Sequence, residues 1–297
     1  MKKTMSIIFS VLFLIGCASV PFKHSFDPKN FDSMNNVALL VRESKIKAYD
    51  SSFALSKRSY DVPIVWKDSA FAQPISTGGI PFAKAGSGVF SLGIFWDPYG
   101  PLDKAVVYKD DTERLHRHIK GYDVKSSFGN AFVERFHGIK SCNFLPLESV
   151  VDIYNRVWSD YEELVNKSRS AKTTVETKKG IKEEVKKREV TFQNELRHHG
   201  ADTFILLEVS PWGFKKHTSF GVQTQKGNFL AFVTVSITRL SDGKIIWHDV
   251  VAADLSDTNE DRTLGEFLQD DQLLSVCINK LADTFAFQLV GQLTNQK

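Results

Sequence analysis

Three cysteines in 297 residues leave no more than one pair, Cys142 and Cys277, able to bond if Cys17 is committed elsewhere, so no disulfide framework dictates this fold. An excess of one charge is missing as well. Thirty-eight basic against 35 acidic residues give a formal charge of +3, which falls to +1 once Lys2 and Lys3 are removed, without the basic surplus that a nucleic-acid binder carries. From Ala18 onward no run is read as long and apolar enough to span a bilayer as a helix, which takes about 20 residues. Catalytic signatures are also lacking: no Gly-x-Ser-x-Gly elbow, no His-Glu-x-x-His helix, and no cysteine with an evident histidine base. Gly86-Ser87-Gly88 has neither the elbow's flanks nor the Lys-Ser/Thr tail of a phosphate cradle. His116 and His118, and His198 and His199, lie one or two positions apart, where helical side chains do not face each other, and nothing completes a tetrahedral set. No metal and no cofactor is therefore expected. The adjacent carboxylates Asp110-Asp111 and Asp270-Asp271 point to different sides of an element and read as caps or solvated groups. No repeat at a solenoid period occurs. These absences argue for a folded, non-enzymatic chain.

What is present begins at the N-terminus. Lys2-Lys3 precede an apolar run from Met5 to Ile15, too short to span a membrane stably but suited to an export signal. It closes on Leu14-Ile15-Gly16-Cys17, where Gly16 supplies the small residue a signal peptidase needs and Cys17 a thiol able to carry a diacylglyceryl group. Residues 1–16 are thus read as a signal peptide, 17–35 as a lipidated tether containing Pro21 and Pro28, and 36–297 as one domain. Cys142 and Cys277 would then meet an oxidising compartment, where they could pair or remain buried thiols.

Along the domain, Val37 to Val41 reads as a buried strand. The stretch from about Glu43 to Tyr122 reads as a long irregular insertion, with a glycine-punctuated apolar segment from Gly78 to Trp96 taken as a packed loop. Val124, Phe128, Phe132 and Phe136 recur every four residues and predict a helix ending at Gly138. A short strand is expected over Phe144 to Leu147. Ser149 to His199 reads as helical, interrupted near Gly180, with Val190, Phe192 and Leu196 as its packing face and Gly200 as its stop. The charged stretch from Glu162 to Arg188 within it reads as a solvated projection. Thr203 to Val209 is a strand; Phe229, Ala231, Val233, Val235 and Ile237 alternate with Thr234, Ser236 and Thr238, and Ser241-Asp242-Gly243 turns the chain into a partner strand from Lys244 to Val251. Leu274, Ile278, Leu281, Phe285 and Leu289 mark a final helix over about Leu264 to Leu293, stripe inward.

The strand Val37 to Val41, the segment His199-Gly-Ala-Asp-Thr203 leading into Phe204 to Val209, and the hairpin Val233 to Trp247 around Asp242-Gly243-Lys244 resemble the envelope lipoproteins that share the fold of the TolB amino-terminal domain. That group includes the curli secretion channel subunit and the lipoprotein activator of penicillin-binding proteins. The element order β-α-β-α-β-β-β-α fits helices packed on one mixed, largely antiparallel sheet, and the resemblance implies the same α/β fold; the chain departs from the group at about 43–122 and 158–187, which read as insertions. It also implies a structural or assembly role in an envelope complex, with an envelope protein or further copies of the chain as partner; a subunit of an oligomeric ring or secretion channel is the alternative, and a hydrolase or lipid-binding module a weaker one. Resemblance to enterobacterial lipoproteins adds that Ala18 after Cys17 implies sorting to the outer membrane; a domain facing the periplasm is the expectation.

Overall fold

The strand at the centre of the sequence pattern is continuous in apolar residues because it is covered on both sides. In the computed structural model, which describes residues 26–49, 108–160, 175–219, 222–255 and 261–294, β1 (Asn36–Glu43) sends Val37, Leu39 and Val41 into one hydrophobic cluster and Ala38 and Leu40 into another. Two-sided burial removes the polar alternation of a half-exposed strand. The remaining strands are β2 (Lys47–Tyr49), β3 (Asn143–Phe144), β4 (Thr203–Ser219), β5 (Val222–Arg239), β6 (Lys244–Asp254) and β7 (Arg262–Thr263). They form one seven-stranded sheet in the order β3-β1-β4-β5-β6, with β2 on β4 and β7 on β5. β1 runs parallel to β3 and β4, Val37 opposite Thr203, while β4, β5 and β6 are antiparallel neighbours. The fold is thus mixed α/β with parallel and antiparallel pairs.

Six helices flank it among the described residues: α1 (Lys109–Ile119), α2 (Val124–His137), α3 (Leu147–Trp158), α4 (Val175–His198), α5 (Leu264–Gln269) and α6 (Asp271–Leu293). α2 and α6 pack on one face of the sheet and on each other, and α3 with α4 covers the β1 side of the other. Asp123 caps α2 by accepting from Ser126 N, and Phe128, Phe132 and Phe136 are fully buried as their four-residue spacing requires. The inward stripe of α6, Leu274, Ile278, Leu281, Phe285 and Leu289, is buried throughout.

Several expectations need correction. Residues 109–119 are helical within the stretch read as irregular; of α1 only Leu115 is buried, too thin a stripe to show a period. The helix read as interrupted near Gly180 is unbroken there, since α4 runs from Val175 to His198; one glycine costs a helix only about 1 kcal/mol. In α4, Phe192 and Leu196 face the core while Val190 is 51% exposed. The last helix is two, because Asp270 leaves helical geometry and accepts from Leu273 N as the cap of α6. α3 already starts at Leu147, so the strand ends at Phe144. β4 and β5 run ten and seven residues beyond their expected ends, where β2, β7 and each other supply the pairing, with irregularities at Val209/Trp212 and Lys216/Thr218. The polar face of β5 is not open: Thr234, Ser236 and Thr238 are all buried. One helix beyond Ala18, α6, is in fact long and apolar enough by length and composition to cross a membrane; its composition follows from serving as the central core helix. Finally, Phe26 and Met34 belong to the core and a 3-10 turn occupies Pro28–Ser33, so the tether expected over 17–35 gives way to folded chain at Phe26.

The first turn of this body is locked to the last third of the sequence. Asp202 accepts from Asn35 N and Asn36 N at 2.9 and 3.0 Å, and its own N–H donates to Asn36 O.

Candidate functional site

Where β1 leaves the sheet, an open cavity of about 450 Å³ lies between the β1–β2 connection and the C-terminal half of α1. Local sequence explains the gap. Ser44 N donates to Val209 O, and Trp212 Nε1 donates to Ser44 O at 2.7 Å, so the chain is pinned on the irregularity that precedes Trp212. Gly213 follows with φ +146°; a Cβ there would sit 1.8 Å from Lys47 O, and only glycine lets β2 approach β4 so closely. α1 is fastened over β2 by Ala48 N donating to Thr112 Oγ1 at 3.0 Å and by His116 Nε2 donating to Ile46 O at 2.7 Å. Tyr122 closes the far side, its hydroxyl donating to Asp271 O.

The walls are apolar, from Ile46, Ile119, Val124 and Trp212, and the rim is cationic. Lys45, Arg117 and Lys120 are exposed there. The ion pairs formed among the described residues include none of these three. Glu43 is the one acid of the lining; burial raises its carboxyl above the usual range, with Lys125 opposing and Asp123 adding. Ser44 is 5% exposed, and its hydroxyl has no hydrogen-bond partner among the described residues. A concave apolar surface with a few convergent polar groups is the physical form of a small-ligand site.

A second polar feature crosses the sheet beside it. Arg42, Glu208 and Thr234 are register neighbours on β1, β4 and β5. Arg42 reaches the Glu208 carboxylate at 3.0 Å and lies over the Tyr154 ring. Burial pushes the Glu208 carboxyl up to about 7, Arg42 pulling the other way. One step along, Ser236 Oγ is 2.6 Å from His248 Nδ1, and burial lowers the imidazole to about 3. This serine–histidine pair has hydrolase chemistry in its atoms but not in its position, since both residues are buried within the sheet.

Of the residues singled out in the sequence, Leu14, Ile15, Gly16 and Cys17 lie outside the described residues, as does the segment from Gly78 to Trp96. Cys142 and Cys277 stand as two separate buried thiols, and burial raises the Cys142 thiol. His118 Nδ1 lies 2.9 Å from Arg114 O, so His116 and His118 serve different backbone carbonyls. Asp111 pairs with Lys216 at 2.8 Å and Asp270 is a helix cap. Arg188, in the charged stretch, binds Glu184, Asp160 and Val157 O, tying α4 to the end of α3. The groove escaped sequence reading because Ser44, Arg117 and Trp212 come from three distant segments. Glu208 was more legible: it shares strand parity with Phe204 and Leu206, which face inward.

No protein-family model matches the chain, and no curated protein matches it. Among solved structures it is similar to a hypothetical protein of Chlamydia trachomatis, with a TM-score of 0.33 and 10% identity over 58% of this chain and 86% of that one. It is also similar to PelC of Paraburkholderia phytofirmans, solved as a dodecamer, with a TM-score of 0.25 and 9% identity over 90% of this chain and 92% of that one.

Proposed function

We propose that the chain is an outer-membrane lipoprotein facing the periplasm, anchored through Cys17, that acts without catalysis as a structural or assembly component of an envelope complex. The observation that supports this reading is the length of the connection. Phe26 is buried in the core and packs on Phe31, which packs on Phe136. Nine residues after Cys17 the chain is already part of the body, and nine residues reach about 30 Å at full extension. An acylated Cys17 would hold the domain close to the bilayer, where confinement raises its effective concentration toward any partner on the same surface.

Two measurements test the reading. Palmitate labelling of the wild type and its loss in Cys17→Ser is the expected result, and labelling that persists in Cys17→Ser refutes the anchor. Native mass after extraction in mild detergent, with co-extracted proteins identified, tests the role: a defined envelope partner is expected. A large homo-oligomer would replace the assembly reading with a ring or channel subunit, and a bare monomer would withdraw it.

A further inference from the structure

We infer that the groove between the β1–β2 connection and α1 is a binding site for an amphiphilic anion, a phosphate or carboxylate joined to an apolar chain. Three observations converge on that class. Lys45, Arg117 and Lys120 ring one cavity and none is neutralised by an ion pair among the described residues, so the rim offers positive charge to an anion. The floor beneath them is core, Ile46 and Trp212, and the apolar surface left open to the cavity comes from the partly buried Ile119 and Tyr122, so a ligand of charge alone would leave that surface wetted. The Ser44 hydroxyl, buried and without a partner among the described residues, is a donor that a bound oxyanion satisfies, removing the cost of an unmet buried group. A volume of about 450 Å³ suits a head group with a short chain rather than a folded partner.

The groove also lies at the end of the body remote from its N-terminal entry. Val124 at the groove and Phe136 beside the entry are twelve residues apart on α2, about 18 Å, and β1 spans a comparable length between the two ends. A tether that reaches about 30 Å leaves either end of the body able to turn toward the membrane, so a free amphiphile and a lipid head group are both sources of this chemistry. The lipid source rests on the proposed anchor; the ligand class does not.

The test uses the full-length chain as Cys17→Ser, titrated with decyl phosphate below its micelle concentration, with decyl maltoside and inorganic phosphate as single-feature controls. Decyl phosphate is expected to bind at least about tenfold more tightly than either control, and Arg117→Ala/Lys120→Ala to weaken it about tenfold, with salt doing the same. Both substitutions are at exposed positions, and unchanged thermal midpoints verify the fold. Glu43→Gln, which removes the one acid of the rim, is expected to tighten binding severalfold, a gain that damage to the fold cannot mimic. Equal affinity for decyl phosphate and decyl maltoside, or indifference to Arg117→Ala/Lys120→Ala, overturns the site. Flotation on phosphatidylcholine vesicles with and without phosphatidylglycerol separates the sources: flotation that needs both phosphatidylglycerol and the two cations supports the same chemistry on a lipid head group, and its absence beside decyl phosphate binding supports the free amphiphile.

Discussion

At the scale of single residues, the buried ionisable groups Glu208 and His248 should set how stability depends on pH, and they pull in opposite directions. Glu208 titrates at about 7 in the fold against 4.5 ordinarily, so the folded state holds its proton longer than the unfolded chain. Its contribution is complete below pH 4.5 and is lost as pH rises toward 7, about 3 kcal/mol in all. His248 titrates at about 3 against 6.5; its contribution is complete above pH 6.5 and is lost as pH falls toward 3. Between 4.5 and 6.5 the two slopes offset each other, and stability should be nearly flat. In Glu208→Gln the flat region should vanish, leaving stability that falls steadily below pH 6.5 and no longer declines between pH 6.5 and 7. Urea midpoints taken across pH 4 to 8 check this; identical profiles for the wild type and Glu208→Gln would refute it. Gly213 is a second residue with a specific demand. Gly213→Ala places a methyl group against the Lys47 carbonyl and should destabilise by about 3 kcal/mol or more, read as a lowered thermal midpoint.

At the scale of elements, what was legible in the sequence follows from how each element is covered. α2 and α6 have one buried face and a long stripe of large side chains, so Phe128, Phe132 and Phe136, or Leu281 and Phe285, announced themselves by spacing. Val37 to Val41 in β1 and Phe204 to Leu207 in β4 are apolar runs buried on both sides, and they too were plain. α1 has a single fully buried residue, Leu115, and its place is set by Thr112 bonding to β2 and His116 to Ile46 just before it, which no periodicity encodes. The outer part of β5 is polar and that of β4 has only Trp212 and Phe214 as large apolar residues, without a run to mark a strand; Gly227, whose Cβ would lie 2.0 Å from Lys215 O, is a signal of their close pairing. The groove was illegible for the same reason: it is defined by an irregularity in β4 and by a helix that patterning did not show. Two substitutions test the element assignments. Gly180→Ala, with open space around the added methyl group, should raise stability by about 0.5 to 1 kcal/mol if α4 runs through, and a loss would place a break there. Phe285→Ala should lower it by about 3 to 5 kcal/mol, measured by denaturant titration, because α6 carries the centre of the larger cluster.

At the scale of the whole molecule, the fold holds together through one sheet and two hydrophobic clusters on its faces, without a covalent cross-link between Cys142 and Cys277. Dithiothreitol should therefore leave the thermal midpoint unchanged, and both thiols should react with a maleimide only under denaturing conditions; a midpoint that drops under reduction would contradict the separate thiols. The parallel pairing of β1 with β4 has a further consequence in time rather than in energy. Asn36 and Asp202 are 166 residues apart, so among the described residues the centre of β1 meets its strand neighbour only after two thirds of the chain has been made. The antiparallel strands β4, β5 and β6 and the helix α6 that packs on them are contiguous and can assemble early, whereas closing so long a loop is slow. A chain emerging N-terminus first would leave the apolar residues Ala38 to Val41 without their β4 partner for that whole interval, and its maturation should depend on a holding factor, or on speed of delivery, more than the stability of the finished fold suggests.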